Sequence, residues 1–416
     1  MNPKVTELIN GYLIEWADPV NLKAKVSRIR MPSDGQVKGE LEIRYSMNGK
    51  SDVYLLVPTQ FNFSSEPTRA RLAKQLAEKL EQDIEWKEIL DYLSQKIQEL
   101  ARAGEAYVEI FPVENAPAPE QLLEGIIYKG VQNIIYGEKG VLKSTVAYLL
   151  AMCVTLPWHD NPLDLKVYPE TMRTLVLDWE TDDSIFRYYV SRLQRGMSIP
   201  PCTLFYRRCS LPLADDVEAI QNHIEKIGAK LLIIDSLGAA AGGERGELKG
   251  SESALIFNTA LRKLNITSLI IGQSPRSEEG KRSNIYGTVF FTYYARNILE
   301  LCRGQEEYED SSHLALFHRD CNLGRKMRPI GLRIDFNDTT GAINVVREPV
   351  SISEFTERIS TSMKILEILK GGAIAQKDLK EITGASYSNI SASLRRLLRQ
   401  GKVIKMEDKW GLQTLV

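Results

Sequence analysis

Between residues 126 and 348 the chain repeats one pattern: a short aliphatic run, a polar residue at its end, then a stretch of helical character. The runs are Val131 to Tyr136, Arg173 to Leu177, Leu204 to Arg207, Lys230 to Ile234, Ser268 to Ile271, Asn297 to Cys302 and Leu314 to His318. Short runs without polar alternation predict strands buried on both faces, and strands separated by helices predict a largely parallel sheet. Ligands of such sheets gather at the carboxyl ends of the strands, so the polar residues that end these runs are the ones to weigh for chemistry.

The flanking segments follow other patterns. Within residues 1–125, Val37 to Tyr45 and Ser51 to Val57 read as strands joined through Asn48-Gly49, a hairpin dipeptide. Glu66-Pro67-Thr68 starts a helix with Leu72, Leu76 and Leu80 on one stripe, and Trp86, Ile89, Leu90, Leu93, Ile97 and Leu100 form the stripe of a second. No cluster of catalytic residue types occurs here, so this segment reads as an accessory or oligomer-organising α+β domain. It is closed by the proline-rich linker Pro112 to Pro119. Residues 355–416 predict three helices, Ser362 to Leu369, Gln376 to Ile382 and Ser386 to Arg399, followed by a hairpin of Gly401 to Met406 and Lys409 to Leu412. That order is the winged-helix arrangement. Ser386, Ser388, Asn389, Ser391, Arg395, Arg396 and Arg399 of its third helix suit a DNA-gripping face, and equally the solvated face of a protein-docking module.

Composition narrows the picture. A chain of 416 residues, 43% hydrophobic, can bury more than one core, so two or three domains are expected. Its 53 basic and 54 acidic residues nearly cancel, and any nucleic-acid contact must come from local patches. The five cysteines lack C-x-x-C spacing and are not grouped with the four histidines, which argues for a reduced, intracellular protein without a structural zinc site. With no signal-peptide or membrane-span pattern, the expectation is a soluble, cytoplasmic protein without a membrane partner.

The chemistry centres on Gly137-Glu138-Lys139-Gly140-Val141-Leu142-Lys143-Ser144-Thr145, between a strand and an apolar helix. Backbone N–H groups of such a loop and the positive end of the following helix cradle a polyphosphate, here with Gly137, Gly140, Val141, Leu142 and Thr145 shaping the cradle. Lys143 then reaches the terminal phosphates and Ser144 holds Mg²⁺. Leu142 stands where the phosphate-loop pattern wants a second glycine.

Four further strand ends add candidates. Asp178-Trp179-Glu180-Thr181-Asp182-Asp183 supplies Glu180 as a base for the attacking water, or else a cap for the helix beginning near Ile185; both readings can hold. Asp235, ending Leu231 to Ile234, is placed to support Mg²⁺ opposite Ser144. Gln273 can sense a γ-phosphate and pass its presence to the loop of Arg276 to Asn284, where Arg276, Lys281 and Arg282 suit a nucleic-acid backbone. Arg319, with Arg325 or Lys326 behind it, is a candidate arginine finger for a neighbouring subunit, or part of a charged hairpin turn. His318 reads as a strand residue and not a metal ligand.

The ordered motifs YGEKGVLKST, LVLDWETDD, KLLIIDSLGAAAGGE, TSLIIGQS, YGTVFFTYYARNILEL and HRDCNLG resemble those of RecA-fold AAA-type ATPases grouped with the plasmid-replication helicase RepA. Relatives of that family include DnaB-type helicases, RadA and KaiC. The resemblance covers about 126 to 348 and includes Gly287, Thr288 and Arg296 in the aromatic segment. It implies an α/β fold: a RecA-like P-loop NTPase core with a mainly parallel sheet, here preceded by the small α+β domain and followed by the winged helix. It also implies ATP and Mg²⁺ as cofactors, with nucleotide at subunit interfaces of a homo-oligomer, commonly a hexameric ring with DNA in its channel. By position, Lys143 and Ser144 bind phosphate and Mg²⁺, Glu180 activates water, Asp235 supports Mg²⁺, Gln273 is the sensor where many relatives carry His, and Arg319 is the finger in trans. A Leu-Lys-Ser ending of the loop also occurs in that family.

The leading expectation is therefore an oligomeric ATP hydrolase of the helicase type, acting on single-stranded or forked DNA in replication, repair or a mobile element. A nucleotide-switched DNA-binding scaffold with slow hydrolysis is the first rival. A transcriptional regulator acting through the winged helix is the second.

Overall fold

Alternation from the N-terminus onward builds the first sheet. In the computed structural model, which describes residues 3–32, 34–46, 51–80, 84–104, 107–161, 163–242, 250–274, 290–304, 311–350, 355 and 359–413, five strands form an antiparallel meander. They are β1 (Lys4–Leu8), β2 (Gly11–Trp16), β3 (Leu22–Arg30), β4 (Lys38–Tyr45) and β5 (Val53–Asn62), paired in sequence order. Leu22, Ala24 and Val26 of β3 point inward while Lys23 and Lys25 stay partly exposed. α1 (Glu66–Ala77), capped by the Ser65 hydroxyl, and α2 (Trp86–Ala103) pack their expected stripes on this sheet through Leu72, Leu76, Trp86, Leu90, Leu93 and Ile97. Each such fully buried side chain contributes roughly 1.5–3 kcal/mol. The first three strands have no counterpart in the sequence reading, and β5 runs past the expected Val57.

The remaining elements, in chain order, start with β6 (Gln121–Leu123), β7 (Ile127–Tyr128) and β8 (Gln132–Gly137). Then come α3 (Lys143–Thr155), β9 (Thr174–Asp178), α4 (Asp183–Gly196), β10 (Phe205–Arg208), α5 (Leu213–Ile227), β11 (Leu231–Asp235), α6 (Leu237–Ala240), α7 (Gly250–Leu264) and β12 (Thr267–Gln273). α8 (Phe290–Tyr294), β13 (Asn297–Arg303), β14 (Ser311–Cys321), β15 (Ile330–Asn337) and β16 (Ala342–Glu348) complete a sheet of nine strands. Its order is β10-β9-β11-β12-β8-β13-β14-β15-β16; the first six run parallel and the last three antiparallel.

The glycine-loop strand β8 thus lies between β12 and β13, inside the sheet. A buried amide pins it there: Asn133 accepts from the Tyr128 N–H and from Asn297 Nδ2, and donates to the carbonyls of Tyr128, Val131 and Ser268. α3 is apolar all round, and every residue of it except Ser144 is buried. It fills the layer between the sheet and α4, in one core with Ile135, Val176, Ile233, Ile271, Leu299 and Leu193.

The chain ends in α9 (Thr361–Ile368), β17 (Ile374–Ala375), α10 (Gln376–Thr383), α11 (Tyr387–Arg399), β18 (Val403–Met406) and β19 (Lys409–Leu412). The expected hairpin is β18–β19, and the two residues of β17 add a third strand to it beside β19. Ile365, Leu369, Leu379, Ile390, Leu394, Leu397, Val403 and Trp410 form a core of their own.

Two compact units divide the chain. One comprises residues 1–118, 211–228 and 255–265; the other comprises 119–210, 229–254 and 266–416. Within the first unit, Lys25 pairs with Glu218 at 2.5 Å, the Arg28 guanidinium donates to the Asp215 carbonyl at 3.3 Å, and Lys263 donates to Asn10 at 3.2 Å. None of the five cysteines forms a disulfide. Among the described residues no helix is long and apolar enough to cross a membrane.

Candidate active site

The parallel register decides which residues meet. Asp235 of β11 stands level with Asp178 of β9, and Gln273 of β12 stands level with Gly137 of β8. Four strands therefore finish together beside the glycine loop, at the edge where open α/β sheets bind ligands.

The loop itself is a bent cradle leading into α3. Gly137 accepts no side chain, because a Cβ there would lie 2.3 Å from the Leu301 carbonyl oxygen, and Gly140 has φ +87°. Leu142, the N-cap of α3, holds φ 60° and ψ 31°, the left-handed conformation that glycine would adopt without strain. The backbone shape demanded by the missing glycine is thus present, reached at a cost of about 1–2 kcal/mol by an L-residue. Lys143 is buried, and its ammonium donates to the carbonyls of Gly137 at 3.0 Å and Glu138 at 2.7 Å. Burial lowers its pKa, against the opposing pull of Asp235, Glu180 and Glu138.

Asp235 is 4% exposed. Burial is the main reason its carboxyl is raised to about 6, and the negative charges of Glu180 and Asp178 push the same way. Hydrogen bonds from Ser144 and Tyr148 oppose them, that of Tyr148 Oη to Asp235 Oδ2 spanning 3.2 Å. The Ser144–Asp235 contact already joins the two residues expected at Mg²⁺. Glu180 is exposed, and one of its oxygens, Oε1, accepts from Ser236 Oγ at 2.5 Å and Gln273 Nε2 at 3.1 Å. The candidate base and the candidate sensor are hydrogen-bonded to each other.

A family model described as an AAA domain matches residues 109–277. The match spans the glycine loop, Glu180, Asp235 and Gln273. Comparison with curated proteins finds no match. Among solved structures the chain is similar to a KaiC-like protein from the hyperthermophilic archaeon Pyrococcus horikoshii OT3, at 19% identity and a TM-score of 0.39, covering 57% of this chain and 100% of that one. The AAA-domain match, the strand order and the cradle support a RecA-fold P-loop ATPase core. The donor set fits ATP and Mg²⁺: a glycine loop at a helix N-terminus, one buried lysine, and a serine and aspartate in contact.

Other expected residues fall differently. The helix cap after β9 is Asp182, which accepts from the N–H groups of Ser184 and Ile185, whereas Thr181 is bound to Asp178. Arg319 is engaged in its own chain, where Nε donates to Glu300 Oε2 at 2.5 Å and the guanidinium lies over the Phe317 ring. A role in trans requires it to leave Glu300. Lys326 pairs with Asp320 at 3.4 Å, and Arg325 is exposed. His318 is a buried strand residue whose Nδ1 accepts the Met327 N–H, and no metal-ligand cluster occurs among the described residues. Arg276, Lys281, Arg282, Gly287 and Thr288 lie outside the described residues, while Arg296 is exposed just before β13.

The sequence reading missed Tyr148, Tyr206, Ser236 and the structural part of Asp178. Asp178 ends the run LVLD, as Asp235 ends LLIID, and that repeated position was the available signal.

Proposed function

We propose that this protein is an oligomeric, Mg²⁺-dependent ATPase that couples hydrolysis to movement on DNA, in the manner of RepA-like helicases. The observation that carries the ATPase part is the convergence of Lys143, Ser144, Asp235, Glu180 and Gln273 at neighbouring strand ends. Lys143 is held at the loop by two carbonyls and can exchange them for phosphate oxygens. Ser144 and Asp235 would hold Mg²⁺, which supplies charge neutralisation on the phosphates when bound. Glu180, oriented through Oε1, takes the proton of the attacking water. Gln273, bonded to that same oxygen, links the state of the base to the end of β12.

Support for DNA comes from the C-terminal domain, read as a winged helix. Residues 360–413 carry ten Lys and Arg against five Asp and Glu, in a chain whose net charge is −1. α11 has no acidic residue; Arg395 and Arg399 are exposed on it, and Lys402, Lys405 and Lys409 are exposed in the hairpin segment. Such a face suits phosphate contacts. Arg396 is tied to Ser362, and Ser391 accepts from Gln376, so these two serve the domain's own packing.

The engagement of Arg319 with Glu300 favours one alternative, a nucleotide-switched DNA-binding scaffold with slow hydrolysis. ATP turnover measured with and without DNA, in wild type and Lys143→Ala, separates the readings. Strong DNA-stimulated turnover that vanishes in the variant supports the motor, and its absence from wild type refutes it.

A further inference from the structure

We infer that Asp178 is a positioning residue for Glu180, acting from beneath the turn that carries it. This inference rests on the ATPase reading above. Asp178 is 1% exposed at the end of β9, and its two oxygens accept four hydrogen bonds. Oδ1 takes the N–H groups of Glu180 at 2.8 Å and Thr181 at 3.0 Å, and Oδ2 takes the Thr181 hydroxyl at 2.5 Å and the Tyr206 hydroxyl at 3.1 Å. The carboxylate therefore closes the turn of residues 178–181 on itself and fastens it to β10.

The backbone of the same turn is bolted on both sides. Trp179 N–H donates to the Asp235 carbonyl at 2.7 Å, and Cys209 N–H donates to the Asp178 carbonyl at 2.7 Å. Glu180 thus leaves the sheet from a turn anchored to both neighbouring strands, and only its side chain reaches out to Ser236 and Gln273.

An aromatic triad extends the anchorage to the phosphate-loop helix. The Tyr206 ring stacks on Phe186 at 4.7 Å, Phe186 meets Tyr148 edge-on at 5.0 Å, and Tyr148 donates to Asp235. Two tyrosine hydroxyls clamp the two strand-end carboxylates, and one phenylalanine of α4 holds both rings. The placement of the base and that of Asp235 are in this way mechanically joined.

Asp178 sits level with Asp235 and contributes to raising that carboxyl, so a neutral Asn or Ser would make the turn at lower electrostatic cost. An Asn can keep all four contacts, its Oδ1 accepting the two N–H groups and its Nδ2 donating to the Thr181 and Tyr206 hydroxyl oxygens, whereas an Ala removes them together.

The test uses the full-length protein, with steady-state ATP turnover beside the Kd of a non-hydrolysable fluorescent ATP analogue. In Asp178→Ala, kcat is expected to fall on the order of 10²-fold, the cost of a displaced catalytic group, with analogue Kd within about twofold. Tyr206→Phe removes one of the four bonds and is expected to lower kcat about fivefold, again without a change in Kd; it keeps the test decisive if Asp178→Ala fails to fold. Unchanged kcat in Tyr206→Phe and in a folded Asp178→Ala overturns the inference. So does a parallel loss of analogue binding, which would mark Asp178 as a general support of the fold. Absence of turnover in wild type overturns the ATPase reading itself.

Discussion

Replacing Asp235 with Asn should make the nucleotide-free protein more stable while destroying its chemistry. The folded carboxyl titrates at about 6 against an ordinary value of 3.8, so the native state binds this proton more tightly than the unfolded chain. Native Asp235 therefore costs nothing below 3.8, its penalty grows as pH rises from 3.8 through about 6, and the penalty is complete above that. A displacement of about two units corresponds to about 3 kcal/mol. Asn keeps the size and one acceptor for Tyr148 but weakens the bond with Ser144, worth about 1 kcal/mol. The net expectation is an Asp235→Asn variant about 2 kcal/mol more stable than wild type at pH 8, with the advantage fading as pH falls toward 4. Urea denaturation at pH 8, 6 and 4.5 measures it, using the unit that contains the nucleotide site as reporter. A second arm adds Mg²⁺ and ATP, which at one hundred times Kd should stabilise wild type by about 2.7 kcal/mol and the variant much less. A variant no more stable than wild type at pH 8, or a difference that does not change with pH, refutes the assignment of Asp235 as a buried, electrostatically strained carboxylate.

Three more outcomes follow from the same structure. Gly137→Ala places a methyl against the Leu301 carbonyl and should destabilise by roughly 1–3 kcal/mol, with nucleotide affinity lost; a denaturation midpoint equal to wild type contradicts the close approach. Leu142→Gly relieves about 1–2 kcal/mol of left-handed strain but gives up packing and adds unfolded-state entropy, so stability should stay within about 1 kcal/mol and nucleotide affinity should hold. Loss of binding in that variant would mean that the leucine side chain itself shapes the site. Arg395→Ala with Arg399→Ala should reduce the slope of log affinity against log salt for duplex DNA by about 2, and an unchanged slope would remove α11 from the DNA-binding surface.

How much of this was legible in the sequence depends on how far each feature is local. Glu180, Asp235 and Gln273 could be picked out because each follows or ends an aliphatic run, and Lys143 because it closes the glycine-loop pattern; a buried parallel strand announces itself by composition alone. The glycine-loop conformation was legible only up to Leu142, whose left-handed backbone is imposed by the loop against the residue's own preference. β1 to β3 have no counterpart in the sequence reading, although β3 carries a local signal: Leu22, Ala24 and Val26 alternate with charged neighbours. β17 has two residues and exists through its pairing with β19, so no local pattern could define it. Tyr148, Tyr206 and Ser236 acquire roles only through the register that sets Asp178 beside Asp235, a property of pairing between strands far apart in sequence.

Several departures from local rules meet at the strand ends beside the glycine loop, and this bears on what the place is for. Asp178, Glu180 and Asp235 set three carboxylates at adjoining strand ends near the ammonium of Lys143, which is itself turned toward carbonyls of the loop. Leu142, in a conformation that favours glycine, stands immediately before that lysine. A chain selected for stability alone would relax these features, as the expected gain in Asp235→Asn illustrates. An excess of buried negative charge is balanced by a divalent cation, and a loop bent against its side-chain preferences presents N–H groups to an anion. In the function proposed above, each feature answers to one half of a metal–polyphosphate ligand, the carboxylates to the cation and the bent loop to the anion.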